Sequence, residues 1–340
     1  MTLAEWLLVV MWAGLTLYAL LGGADFGGGF WDLVAGGDRK GMPRRKLIEH
    51  AIGPVWEANH VWLIFVLVLL WTGFPRVFAA VSSTLYIPLT LAAFGIIARG
   101  AAFAFRKAST QLWQQRLFGA AFAISSVFTP FFLGTIVGGI ASGRVPAGIA
   151  QGDLLTSWWN PTSILGGILA VGVTAYLAAV FLTGDAARTG KADLVEVFRR
   201  KALVTGVVMG LAALGGIGVL RADAPTLYRG LTSRALPLIV ISAVAGLASL
   251  ALLWVRRLML VRLTAVIAVT AVMWGWAVGQ YPLMLPPEVT ISSAAASAPV
   301  LTATLGALGI GALLLLPSLL WLFILFQREH TTGLHPQART

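Results

Sequence analysis

The chain has 340 residues, of which 58% are hydrophobic and only 11% charged, with a mean hydropathy of +0.87. A water-soluble domain carries about 25% charged residues, so this composition excludes one and points to an all-α, polytopic membrane protein. Lys and Arg number 24 against 13 acids, a formal +11, yet they sit in short connections between apolar runs, which argues for membrane orientation and against a nucleic-acid partner. The chain has no cysteine, which excludes disulfides, thiolate iron–sulfur ligation, a Cys nucleophile and thioether haem attachment.

Met1-Thr2-Leu3-Ala4-Glu5-Trp6 lacks a basic n-region, and no small-residue cleavage site follows the first apolar run, so a cleaved signal peptide is not expected. Spans of about 20 apolar residues are read at 5–33, 52–73, 77–105, 116–140, 158–183, 202–221, 235–255, 260–280 and 299–326, giving nine transmembrane helices. No break in composition separates a soluble part, so 1–340 reads as a single transmembrane domain: two four-helix groups plus one peripheral helix. Basic residues cluster after the odd-numbered spans, for example Arg44, Arg45 and Lys46, then Arg199, Arg200 and Lys201. That asymmetry places the amino terminus outside and the carboxyl terminus in the cytoplasm.

The first span carries Gly22-Gly23-Ala24-Asp25-Phe26-Gly27-Gly28-Gly29-Phe30-Trp31-Asp32, glycines dense enough to let another helix approach the backbone. Asp25 and Asp32 are seven residues apart and share nearly one face. Asp32, next to a basic loop, reads as a solvated helix-end carboxylate; Asp25 lies deeper.

The second span opens on Ile52-Gly53-Pro54-Val55-Trp56-Glu57-Ala58-Asn59-His60-Val61-Trp62-Leu63. Ionisable groups entering a lipid-spanning segment are costly and usually face a protein interior or a water-filled path. Glu57 and His60 are three residues apart and so share a helix face. The plainer reading is a helix-start cap at headgroup level with the indoles as anchors. Against it stands Arg99, a charge that repeats the anomaly about two turns inside the end of the third span. Arg99 either snorkels to the headgroups or pairs with a buried acid or a cofactor propionate; Arg106 reads as interfacial. Between the eighth and ninth spans, three prolines in Tyr281–Pro287 and few charges predict an extended segment lying on the protein. Trp158, Trp159, Trp274, Trp276 and Tyr281 read as interface-belt aromatics.

Gly-Ala-Asp-Phe-Gly-Gly-Gly (23–29), Gly-Pro-Val-Trp-Glu-Ala-Asn-His-Val-Trp-Leu (53–63), Arg-Gly-x-x-Phe-x-Phe-Arg (99–106) and Tyr-Pro-x-x-x-Pro (281–286) resemble, in order and spacing, subunit II of cytochrome bd-type quinol oxidases. The second motif is the most specific, and its Glu-Ala-Asn-His form is similar to the cyanide-insensitive branch. The resemblance implies a subunit of a prokaryotic plasma-membrane terminal oxidase that binds no haem and no metal itself. It implies a haem-bearing subunit I with b-type haems, with or without haem d, quinol as the substrate of the pair, and dioxygen reduced to water. Small accessory subunits, lipid and quinone are further partners in this picture.

The resemblance also implies that no catalytic residue lies in this chain and that a proton path from the cytoplasm uses its acids. Asp25 matches the family's first-helix acid, and Glu57 the acid after the motif's Trp. His60 stands where many members have Glu or Gln, and Ala104 where others have an acid. Acids held in low dielectric can take up and release protons during turnover. Asp25 and Glu57 are therefore the relay candidates, with Asn59 and His60 as hydrogen-bonding neighbours and Arg99 and Trp56 as charge-partner or cofactor-edge contacts. Competing readings are a purely structural subunit, a stand-alone b-type cytochrome ligated through His50 or His60, and a transporter with Asp25, Glu57 and Arg99 at its midplane.

Overall fold

The computed structural model describes residues 1–52 and 56–332; the side chains at 38–40, 52, 56, 57, 107, 112, 316, 319, 320 and 322–332 fall outside the description. Helix α1 (Leu3–Leu17) passes through a π turn (Tyr18–Gly22) into α2 (Gly23–Leu33), and the three form one span of 31 residues. A surface helix α3 (Asp38–Ile52) leads to α4 (Trp56–Gly73) and the short α5 (Pro75–Thr84). Then come α6 (Tyr86–Ala108), α7 (Leu112–Ala141), α8 (Pro161–Arg188), α9 (Ala192–Asp223), the short α10 (Pro225–Thr232), α11 (Leu236–Trp254) and α12 (Leu258–Gln280). A two-stranded hairpin, β1 (Leu283–Leu285) and β2 (Val289–Thr290), and the one-turn α13 (Ile291–Ala294) precede α14 (Ala298–Thr332).

Among the described residues, eight helices are long and apolar enough to cross a membrane, and the bent pair Ala58–Gly73 and Pro75–Thr84 raises the number to nine. One group comprises α1–α2, α4, α6 and α7; the other comprises α8, α9, α11 and α12. They meet where α2 packs on both α7 and α8, while α14 touches α1 and α4 at the periphery. At the seam between α7 and α8 a Cβ on Gly134 would lie 2.3 Å from the Gly166 carbonyl oxygen, so only the absence of a side chain allows that approach.

Two boundaries differ from the expected ones, each for a physical reason. The third span starts at Tyr86 rather than 77: Pro75 opens a separate helix bent by 118° from α4, and the chain breaks again at Leu85, which is fully buried. The sixth helix starts at Ala192 rather than 202, leaving only residues 189–191 as a connection. Hydropathy marks where lipid ends, not where a helix ends. Here the polar turns are held by Glu196, which bonds Arg199 at 2.9 Å and Arg200 at 2.7 Å, three and four residues on.

The end of the bundle carrying the amino terminus is closed by polar ties. Tyr281 donates to Glu5 at 2.8 Å, and that partnership with a carboxylate raises the phenol's pKa above its ordinary value. Arg144 grips Asp223 through both terminal nitrogens, at 3.1 and 2.5 Å, while Asp223 also accepts from the Thr162 backbone N–H and hydroxyl. The segment after α12 does lie on the protein: Leu285, Val289 and Ile291 are buried, and the Ala296 N–H reaches the Gly73 carbonyl at 2.8 Å. Trp158 is 7% exposed and packs on Phe132, so it belongs to the core rather than to an interface belt; Trp159, 54% exposed, keeps that reading.

In the loop before α8, the Asp153 carboxylate accepts from the Leu155 and Thr156 N–H groups and the Thr156 hydroxyl, which hold its pKa below the usual carboxylate range. A depressed folded pKa contributes stability above the unfolded value, and that contribution is lost as pH falls through the folded one. Amide exchange at Leu155 and Thr156 is therefore expected to accelerate, relative to the rest of the loop, once pH drops below about 4. Asp153→Asn should blunt that pH dependence.

Candidate functional site

The π turn admits one extra residue per turn, a feature frequent at functional positions, and Asp25 follows it in the first turn of α2. Its carboxylate is 6% exposed and accepts a short hydrogen bond from the Asn59 amide of α4, itself buried. His60, the next residue, is half-buried, its ring 6.0 Å from that of Tyr18 and 5.9 Å from that of Phe26. From α6 comes Arg99, at 1% exposure one of the largest fully buried side chains. Its guanidinium lies over the rings of Phe26 and Phe122, at 4.8 and 5.0 Å, and its Nε donates to the Ser126 hydroxyl at 3.1 Å. The cation is thus accommodated by aromatic faces and a hydroxyl rather than by water.

The structure therefore brings together four of the expected residues, Asp25, Asn59, His60 and Arg99. Glu57 and Trp56 begin α4, but their side chains lie outside the described residues. Arg99 does not snorkel, because the aromatic sandwich holds it inside the bundle. Among the described residues it makes no direct ion pair, though the ring it lies over, Phe26, is the residue after Asp25. Tyr18, Phe26, Phe122 and Ser126 complete the site and were not singled out by sequence. Phe26 adjoins Asp25 and could have been inferred, whereas nothing in the α7 sequence marks Phe122 or Ser126.

Asp32 corrects another expectation. It is 6% exposed rather than solvated, and is held by Arg45 of α3 at 3.1 Å and Arg106 of α6 at 3.0 Å. Arg106 is accordingly a bridge between helices, not merely an interfacial charge. Beside this triad, Ile48, Glu49, Phe103 and Phe122 line a cleft of about 20 Å³, room for one water. Nearby, the Lys201 ammonium sits 4.3 Å from the Trp31 ring, whose indole N–H bonds the Ala175 carbonyl.

Tyr18 and Phe26 flank the His60 imidazole, His50 is exposed on α3, and no three His, Cys, Asp or Glu side chains cluster among the described residues.

A bundle with eight or nine membrane-crossing helices among the described residues, carrying a buried acid, amide and guanidinium inside its first helix group, defines a polytopic membrane protein built around intramembrane charge. The chain belongs to the cytochrome bd terminal oxidase subunit II family, whose model matches residues 3–326. It is 29% identical over 178 residues to cytochrome bd ubiquinol oxidase subunit 2 of Bacillus subtilis, covering 52% of this chain and 51% of that one. It is 26% identical over 185 residues to cytochrome bd-I ubiquinol oxidase subunit 2 of Escherichia coli, covering 52% and 47%. The chain thus spans about half the length of these curated relatives. A chain of the bd oxidase structure from Geobacillus thermodenitrificans superposes with a TM-score of 0.75 at 26% identity, covering 96% of this chain and 99% of that one.

Proposed function

We propose that this chain is the haem-free second subunit of a quinol:dioxygen oxidoreductase in a prokaryotic plasma membrane. It holds a haem-bearing partner and delivers cytoplasmic protons to it through Asp25 and Glu57. The observation that carries the reading is the buried Asp25–Asn59 bond beside the fully buried Arg99. A carboxyl sequestered from water and tied to a neutral amide, with a cation nearby but not in direct contact, can hold or release a proton without rearranging the helices around it. Asn59 orients the carboxyl, and His60, next along α4, is the adjoining exchangeable group. The charged triad of Asp32, Arg45 and Arg106 stands at the end of the bundle assigned to the cytoplasm, where protons would enter. The amino terminus is assigned to the outside by the concentration of basic residues at that opposite end. Quinol oxidation and dioxygen reduction belong to the partner, and nucleic acid has no part.

In the purified two-subunit complex, Asp25→Asn and Glu57→Gln should each lower oxidase turnover about tenfold or more, with haem content and subunit ratio unchanged. Full turnover in both would remove the relay and leave a purely structural subunit.

A further inference from the structure

Resting on the proton-relay reading, we infer that Tyr18 is a positioning residue of the Asp25 site: its hydroxyl and the Arg99 guanidinium hold one bound water against the Asp25 carboxylate. Tyr18 is 6% exposed and lies in the π turn, seven residues before Asp25. Its ring is packed tightly, since a Cβ at Gly22 would lie 3.0 Å from it, and its other neighbour is the His60 imidazole. The hydroxyl has no hydrogen-bond partner among the described residues.

Arg99 leaves a second donor in the same state. Its Nε is committed to Ser126, whose own hydroxyl donates to the Phe122 carbonyl at 2.6 Å, and the aromatic rings cover the faces of the guanidinium. That clamp fixes the fork and leaves Nη2 buried without an acceptor among the described residues. A buried donor left unmade is expensive, more so when charged. Two of them lie around Phe26, the residue after Asp25: its ring is 4.8 Å from the Arg99 guanidinium and 5.9 Å from the His60 ring on which Tyr18 packs, and such donors are the polar surroundings that hold an internal water. Arg99 would donate to that water, the water would donate to Asp25, and Tyr18 would donate to or accept from it. A proton can then pass the phenol without charging it, the oxygen accepting one proton as it releases its own. Tyr18 lies on the amino-terminal side of Asp25, so it extends the polar path from the acid toward the far half of the bundle.

The test is Tyr18→Phe, which removes one oxygen from the assembled complex, set beside Asp25→Asn and Arg99→Lys. Turnover of Tyr18→Phe is expected to fall about fivefold, the rate equivalent of one neutral hydrogen bond, with the KM for quinol unchanged. The carboxyl stretch lost in Asp25→Asn infrared difference spectra should shift in frequency in both Tyr18→Phe and Arg99→Lys. If Asp25→Asn is slow while Tyr18→Phe keeps full turnover and an unshifted band, the assignment of Tyr18 fails and the relay stands. If Asp25→Asn itself turns over normally, the relay fails. Should either neighbour variant assemble poorly, the infrared band in the other decides the water's place.

Discussion

Gly27→Val is expected to abolish assembly of the complex, with recovered two-subunit protein falling at least about tenfold. A Cβ at Gly27 would stand 1.8 Å from the Thr174 carbonyl oxygen and 2.7 Å from the Ala178 methyl. The obstacle is backbone on the facing helix, which cannot rotate away as a side chain can. Relief requires α2 and α8 to separate, and α2, with α7, is where the first helix group packs on the second. Close contact of small residues is what holds helices together where lipid is as apolar as the interface. Separation would also displace Asp25, two residues earlier, from Asn59. Gly210→Ala, where an added Cβ meets nothing within 4 Å, should assemble normally. Normal yield and turnover of Gly27→Val would show that the α2–α8 seam is looser than described.

Asp32→Ala should destabilise the chain by about 2–4 kcal/mol, read as a lower midpoint of thermal unfolding in detergent. Removing one partner of a buried ionic group leaves the others uncompensated, which typically costs 3–5 kcal/mol. The value is reduced here because Arg45 and Arg106 retain 29% and 27% of their exposure and can turn partly toward water. The double variant Asp32→Leu with Arg106→Leu should recover part of the loss, because it removes a charge along with its unpaired partner. The triad ties α3 and α6 to α2, so limited proteolysis of α3 is expected to accelerate in the single variant. An unchanged midpoint together with unchanged proteolysis would make Asp32 the solvated carboxylate that its position next to a basic loop suggests.

Asp25, Asn59, His60 and Arg99 were legible in the sequence because a polar side chain in an apolar run is costly wherever it points, and cost alone marks it. How they are satisfied was not legible. Arg99 could equally have reached the headgroups, since the length of its side chain permits either course. Asp32 shows the same ambiguity from the other side: proximity to basic residues in sequence suggested solvation, whereas proximity in space made a clamp. Trp158 and Tyr18 show it for aromatics, whose amphipathic rings suit an interface or a core equally well.

The sequence by itself determined that this chain crosses a membrane many times, which end gathers the basic residues and which side chains sit there at a cost. Those follow from transfer free energies, which depend on composition and are summed along the chain. Only the tertiary structure decided that Pro75 turns a separate helix by 118°, that a π turn precedes Asp25, that Asn59 rather than Arg99 bonds its carboxylate, and that Tyr18 packs on His60. Those depend on which helices come close enough to touch. In this chain that is set by a few glycines and by aromatic faces contributed from helices far apart in sequence.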